Sequence, residues 1–123
     1  MAANRAYGDE QVSANDSTLS ADPVLAEIVR RLVEAFQPLR IYVFGSKARG
    51  AGDADSDYDL LVIVPDDAPK DRRQSRHGYD RMWGLGAAVD ILVWTDTSFR
   101  KRAGVVTSLP ATVLREGTLV YGS

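Results

Sequence analysis

The feature that most constrains the fold of this chain is a Gly45-Ser46 pair followed, after ten residues, by Asp57 and Asp59. An apolar, β-rich run ends just before the pair, and a second such run contains Asp59. A glycine and a hydroxyl directly after a strand are typical of a strand-to-helix turn whose exposed N–H groups bind phosphate oxygens. Because side chains alternate along a strand, Asp57 and Asp59 are expected to project to one side. The spacing predicts a phosphate-and-metal site.

Two converging carboxylates repel each other unless a cation lies between them, and ligand sets made only of oxygen favour Mg²⁺ or Mn²⁺. A third carboxylate, Asp90, interrupts the apolar run 87–94, where a charge needs a partner. If the strand of Asp90 neighbours the strand of Asp57 and Asp59, the three acids can hold metal and polarise an attacking hydroxyl. The alternative interpretation is that 52–57 is only a polar turn.

The chain resembles a known family in three segments. The run Gly45–Leu60 is similar to the signature of the minimal nucleotidyltransferase (MNT) domains of the DNA polymerase β-like superfamily. The strand Val89–Trp94 resembles the third-acid strand of these domains, and Leu114–Gly122 resembles their closing strand. The resemblance implies an α/β (α+β) nucleotidyltransferase fold, with a small mixed sheet of about four strands flanked by helices.

The resemblance also implies roles for the matching residues. Gly45 and Ser46 would bind the nucleotide triphosphate. Asp57 and Asp59 would coordinate the metal, and Asp90 would assist metal binding or activate the acceptor. All three acids are therefore candidate catalytic residues.

Two basic residues complete the predicted nucleotide site. Lys47 stands where the family often has Arg, which preserves a phosphate contact but not a planar two-pronged one. Arg49 can neutralise triphosphate charge as pyrophosphate leaves, and a solvent-facing Arg is the equally weighted alternative.

The function that the resemblance implies is transfer of AMP from ATP to a tyrosine of a HEPN-domain ribonuclease toxin, with the chain acting as antitoxin. Two Mg²⁺ ions are expected, and Mn²⁺ is an alternative. Two rival functions stay open. One is a small-molecule nucleotidyltransferase of the aminoglycoside-modifying kind, and the other is an antitoxin that only binds its partner.

Composition and length restrict the number of domains, the kinds of site and the substrates that are expected. The chain has 123 residues, a formal net charge of −2 and no cysteine. One domain is expected, without disulfides or thiolate sites, and nucleic acid is disfavoured as a direct substrate because no global positive field attracts it. No apolar run is long enough to span a membrane, and cytoplasmic residence is the default expectation.

The chain is expected to divide into a flexible tail, 1–21, and one nucleotidyltransferase domain, 22–123. Asp22 is expected to cap a helix that begins at Pro23 and ends before Pro38. The later elements are predicted from periodicity and from turn residues. They are strands at 40–44, 58–64, 88–94 and 118–121, and helices near 47–49, 97–103 and 110–115.

A basic helix is predicted over Lys70–Leu85, with Tyr79, Met82 and Trp83 directed inward. Trp83 and Trp94 are expected in the core, since aromatic residues in apolar runs usually pack there.

The residues Arg72, His77 and Tyr79 spell a pattern found in HEPN ribonucleases. We interpret it as a coincidence, with a surface His and a half-buried Tyr, because HEPN domains are helical bundles and this motif lies between two strands.

Overall fold

The structure is a computed structural model that describes residues 21–44 and 58–122. Most of the predicted tail and the helix predicted near 47–49 lie outside these residues, as does Ser123. The division into tail and domain therefore stays a prediction.

The described residues form helices around one mixed four-stranded sheet. The strand order is β3-β2-β1-β4, with β1 antiparallel to both β2 and β4, and with β2 parallel to β3. This arrangement confirms the predicted α+β fold. The elements, in chain order, are α1 (Pro23–Phe36), β1 (Arg40–Phe44), β2 (Tyr58–Val64), a 3₁₀ turn (Lys70–Arg73), α2 (Arg76–Tyr79), β3 (Val89–Thr95), α3 (Asp96–Ala103), α4 (Leu109–Glu116) and β4 (Thr118–Gly122).

Helix α1 begins and ends where local chemistry dictates. The carboxylate of Asp22 accepts a hydrogen bond from the amide of Leu25 at 3.1 Å, and proline occupies the first helical turn. Gln37 closes the helix in the left-handed conformation at φ 48°, just before Pro38. The predicted start and end of this helix are both confirmed.

The sheet buries a different cluster on each face. We call the side under α1 the first face; its buried strand residues include Tyr58, Leu60, Val62, Val64 and Ile91. The second face lies under α3 and α4, where Leu61, Ile63, Phe99 and Val113 are buried. Strand β2 supplies both clusters because alternate side chains project to opposite faces. The apolar run of β2 is thus explained by burial on both sides.

The long basic helix predicted over 70–85 is wrong. The chain forms a 3₁₀ turn, the single turn of α2 and then irregular structure, with positive φ at Gly84 and Gly86. Gln74, which has extended backbone at φ −116° and ψ 135°, separates the 3₁₀ turn from α2, and α2 ends at Tyr79, before either glycine. The positive φ values at Gly84 and Gly86, which glycine tolerates, exclude a helix in the rest of the segment.

The side-chain directions predicted for this segment are wrong in part. Trp83 is 85% exposed rather than in the core, and Tyr79 is 42% exposed. Met82 does pack partly against the first-face cluster, and Trp94 packs partly against the second. His77, expected at the surface, is half-buried, because Nε2–H donates to the carbonyl of Ala35 at 2.8 Å and the ring contacts Phe36 edge-on.

None of the helices in the described ranges is both long and apolar enough to cross a membrane.

Candidate active site

Two of the three predicted acids lie opposite each other in the sheet. Asp59 is the second residue of β2 and Asp90 the second of β3, and they are Cα partners in the parallel ladder. The third, Asp57, lies outside the described residues. So do Gly45, Ser46, Lys47 and Arg49, whose roles stay predictions.

Both carboxylates belong to the second face of the sheet. Asp59 stands between Tyr58 and Leu60, which are buried on the first face, so its side chain projects to the other side. Asp90 stands between Val89 and Ile91, which also pack on the first face. Partners in a parallel ladder project to the same side. The fold therefore meets the condition set by the sequence, that the two acid-bearing strands be neighbours.

The accessibility of the two acids differs. Asp59 is half-buried on the inner strand β2, whereas Asp90 is exposed on the edge strand β3. The pair therefore lies at the margin of the second face, beyond the buried side chains of Leu61 and Ile63. A ligand can approach Asp90 from solvent while Asp59 is held in the sheet.

The partner of Asp59 on its other side is Phe44, the last residue of β1. The predicted nucleotide-binding segment begins at the next residue in the chain. The segment 45–57 is therefore joined at both ends to residues beside Asp59, namely Phe44 and Tyr58.

A tyrosine that the sequence analysis did not assign to the site contacts Asp90. The hydroxyl of Tyr79 donates to Oδ1 of Asp90 at 3.0 Å and accepts from the amide of Ile91 at 2.9 Å. Burial raises the pKa of Tyr79; the Ile91 amide opposes this effect and the hydrogen bond to Asp90 adds to it. The spacing of Tyr79 and Asp90 in the chain gave no signal of this contact, because it depends on how α2 packs beside β3.

The two predicted ligands that lie within the described residues, Asp59 and Asp90, suit a hard divalent cation. Carboxylate oxygens are the ligands that Mg²⁺ and Mn²⁺ prefer, and Asp59 and Asp90 supply them at matched positions on one face. Within 21–44 and 58–122, no group of three or more potential ligands comes together. The described strands thus provide two carboxylates of the three predicted.

Comparison with known proteins gives a family match and several fold matches. The family model for a nucleotidyltransferase domain matches residues 25–119, which include Asp59 and Asp90. A search of curated proteins finds no match. A solved structure described as a minimal nucleotidyltransferase is 30% identical, with a TM-score of 0.52, and the match covers 78% of this chain and 91% of that one.

Toxin–antitoxin complexes also contain chains of this fold. A toxin–antitoxin structure with AMP-PNP matches at 22% identity and a TM-score of 0.53, covering 79% of this chain and 73% of that one. The MntA-HepT toxin–antitoxin structure matches at 20% identity and a TM-score of 0.50, covering 80% and 69%. At these identities the likeness shows the fold alone.

Proposed function

This chain belongs to the nucleotidyltransferase domain family, and we propose that it transfers AMP from ATP to a hydroxyl of a partner protein. The proposed partner is a HEPN-type ribonuclease toxin modified on a tyrosine, with the chain acting as its antitoxin. The observation that carries the proposal is the register of Asp59 against Asp90, which gives one face of the sheet two neighbouring carboxylates; Asp59 is also paired with the last residue of β1.

Asp59 and Asp90 would both bind the metal, and Asp90 would also act as the general base. A divalent cation held by Asp59 and Asp90, together with Asp57, would neutralise the charge of the triphosphate. The acceptor oxygen would form a bond to the α-phosphorus as the bond from that phosphorus to the β-phosphate oxygen breaks and pyrophosphate leaves. The carboxylate of Asp90 would accept the proton of the attacking hydroxyl, which its exposure leaves open to an incoming acceptor.

The fold matches support a protein acceptor and an adenine nucleotide. Two of the structures that share this fold are toxin–antitoxin complexes, and one of them was solved with AMP-PNP.

The test is nucleotide transfer measured by the intact mass of a candidate partner after incubation with this chain, ATP and Mg²⁺. Asp59→Asn should lower the rate on the order of 1,000-fold or more, since it removes one of the carboxylates that would hold the metal on which transfer depends. Mn²⁺ binding followed by electron paramagnetic resonance should weaken in the same variant, which tests the metal role without relying on activity.

Asp67→Asn is the matched control, because Asp67 is an exposed carboxylate in the turn after β2, at the opposite end of the strand from Asp59. It should leave both transfer and Mn²⁺ binding unchanged. Transfer that survives Asp59→Asn would overturn the assignment of the site. Protection from a toxin by an Asp59→Asn chain that no longer transfers would favour an antitoxin that only binds, and transfer to a soluble small molecule without any partner would favour the small-molecule enzyme.

A further inference from the structure

The segment around α2 places the hydroxyl of Tyr79 against Asp90, the carboxylate proposed to accept the proton of the attacking hydroxyl. The Tyr79 hydroxyl lies 3.0 Å from Oδ1 of Asp90 and donates its proton to it. A donated proton is the relation that a general base requires with the hydroxyl it activates. We propose that Tyr79 is an internal acceptor, so that the chain transfers a nucleotide to its own Tyr79; this inference rests on the function proposed above.

The surroundings of Tyr79 suit an acceptor more than a core residue. Its side chain is 42% exposed, and in the range 70–88 only Gly78 is buried. The ring lies at the free edge of β3, where its oxygen accepts from the amide of Ile91 at 2.9 Å. The hydroxyl is therefore held in place by two hydrogen bonds, while the side chain stays partly exposed to solvent.

The oxygen also keeps the electron pair that the reaction needs. A phenol oxygen has two lone pairs, of which the Ile91 amide engages one. That amide would also favour the developing negative charge on the oxygen, as a backbone donor aimed at a reacting oxygen does in other active sites.

The step balances with the reactants of the proposed function. The Tyr79 oxygen forms a bond to the α-phosphorus of ATP, and the bond from that phosphorus to the bridging oxygen breaks. Pyrophosphate leaves with those electrons, and the phenolic proton passes to the carboxylate of Asp90. The product is a tyrosine–AMP phosphodiester, and no oxidant or reductant is consumed.

The experiment incubates the purified full chain with ATP and Mg²⁺, without any partner, and follows its intact mass. We expect a gain of one AMP, which fragment mass spectrometry assigns to Tyr79. The first-order rate constant should not change with protein concentration, because the acceptor and the carboxylate lie in the same molecule. A different modified residue, or a rate constant that rises with protein concentration, would overturn the inference.

Variants separate this inference from the function on which it rests. Tyr79→Phe should abolish the gain of mass, whereas Asp90→Asn should abolish both self-transfer and transfer to a partner. Tyr121→Phe is the control, since Tyr121 is a half-buried tyrosine on β4, the opposite edge strand. It should leave self-transfer unchanged.

Transfer to a partner without self-transfer would overturn the inference alone, and the absence of both would overturn the proposed function as well. Mapping in the wild-type chain decides the site even if Tyr79→Phe fails to fold.

Discussion

Helix α1 and the segment 70–88 cover the same face of the sheet, but different contacts hold them there. Six side chains of α1 are buried, and three of them, Ile28, Leu32 and Phe36, are at most 1% exposed. The segment 70–88 buries only Gly78. A helix with a buried apolar stripe and a segment with almost none should differ in how easily they open.

Polar bonds add to the partly buried apolar contacts of Met82, Leu85 and Ala87, and α1 supplies the partners of these bonds. Arg31 donates to the carbonyl of Trp83 at 2.6 Å and to that of Arg81 at 3.2 Å. The guanidinium is fixed by Glu27, whose pKa is lowered to about 2 by hydrogen bonds from Arg30 and then Arg31. The element beside the candidate site is therefore docked on α1 through exposed or half-buried side chains, and we expect it to open more readily than α1.

The largest effect is expected in α1. Leu32→Ala removes a fully buried side chain and leaves a cavity, which should lower the free energy of unfolding by about 3 kcal/mol. Denaturant unfolding measures the change. Val24→Ala is the control, because Val24 lies on the same helix and is 36% exposed; it should change the free energy of unfolding by less than about 0.5 kcal/mol. Equal losses in the two variants would contradict a buried stripe as the main support of α1.

An intermediate effect on the free energy of unfolding is expected at alkaline pH, from a hydrogen bond at the start of α1. The hydroxyl of Tyr58 donates to the carboxylate of Asp22 at 2.9 Å, and burial together with this bond raises the pKa of Tyr58 from 10.0 to about 12. A pKa raised by folding means that the folded state keeps its proton longer, so the stabilisation is complete below pH 10 and is lost as pH rises toward 12. The loss should be roughly 2 kcal/mol.

Reversible unfolding between pH 9 and about pH 12 measures this loss. Tyr58→Phe is the control for it: the variant should be less stable at neutral pH but should show a flatter alkaline slope, because the titrating group is gone. An unchanged slope would assign the alkaline loss to another group.

A smaller effect is expected where the two regions meet. A Cβ on Gly78 would lie 2.8 Å from Cε2 of Phe36 and 3.0 Å from Cδ1 of Ile91, so Gly78→Ala must push α2 away from α1 and β3. The cost should be about 1 kcal/mol, since overpacking is partly offset by the better helix propensity of alanine. Amide hydrogen exchange should accelerate at 76–82 and remain unchanged within α1. Equal acceleration in both regions would show that they open together.

The two regions also differ in how well the sequence predicted them. For α1, the N-cap at Asp22, the proline at 23 and the apolar spacing are all local signals, and each is confirmed. For 70–85 the same kind of spacing predicted one helix, but Gly84 and Gly86 adopt positive φ and Trp83 faces solvent. Apolar spacing alone does not predict a helix correctly there, because the segment has few buried contacts that would stabilise a helix.

In the candidate site, too, some features could be predicted from the sequence and others could not. Asp59 and Asp90 stood out in the sequence as charges in apolar runs, and no tertiary information was needed to choose them. Their meeting across β2 and β3, and the contact of Tyr79 with Asp90, depend on strand order and on the docking of α2. A tyrosine eleven residues before an acid carries no periodic signal that the two will touch.

Local signals in the chain predicted the strands, the first helix and the family, and they selected Asp59 and Asp90 as candidate ligands, because alternation, capping and motif spacing act over a few neighbouring residues. Assembly of the fold set which strands pair, which face Asp59 and Asp90 share and which hydroxyl reaches Asp90. Those outcomes depend on contacts between residues distant in the chain, whose free energy is gained only when the whole sheet and the helix on it have assembled.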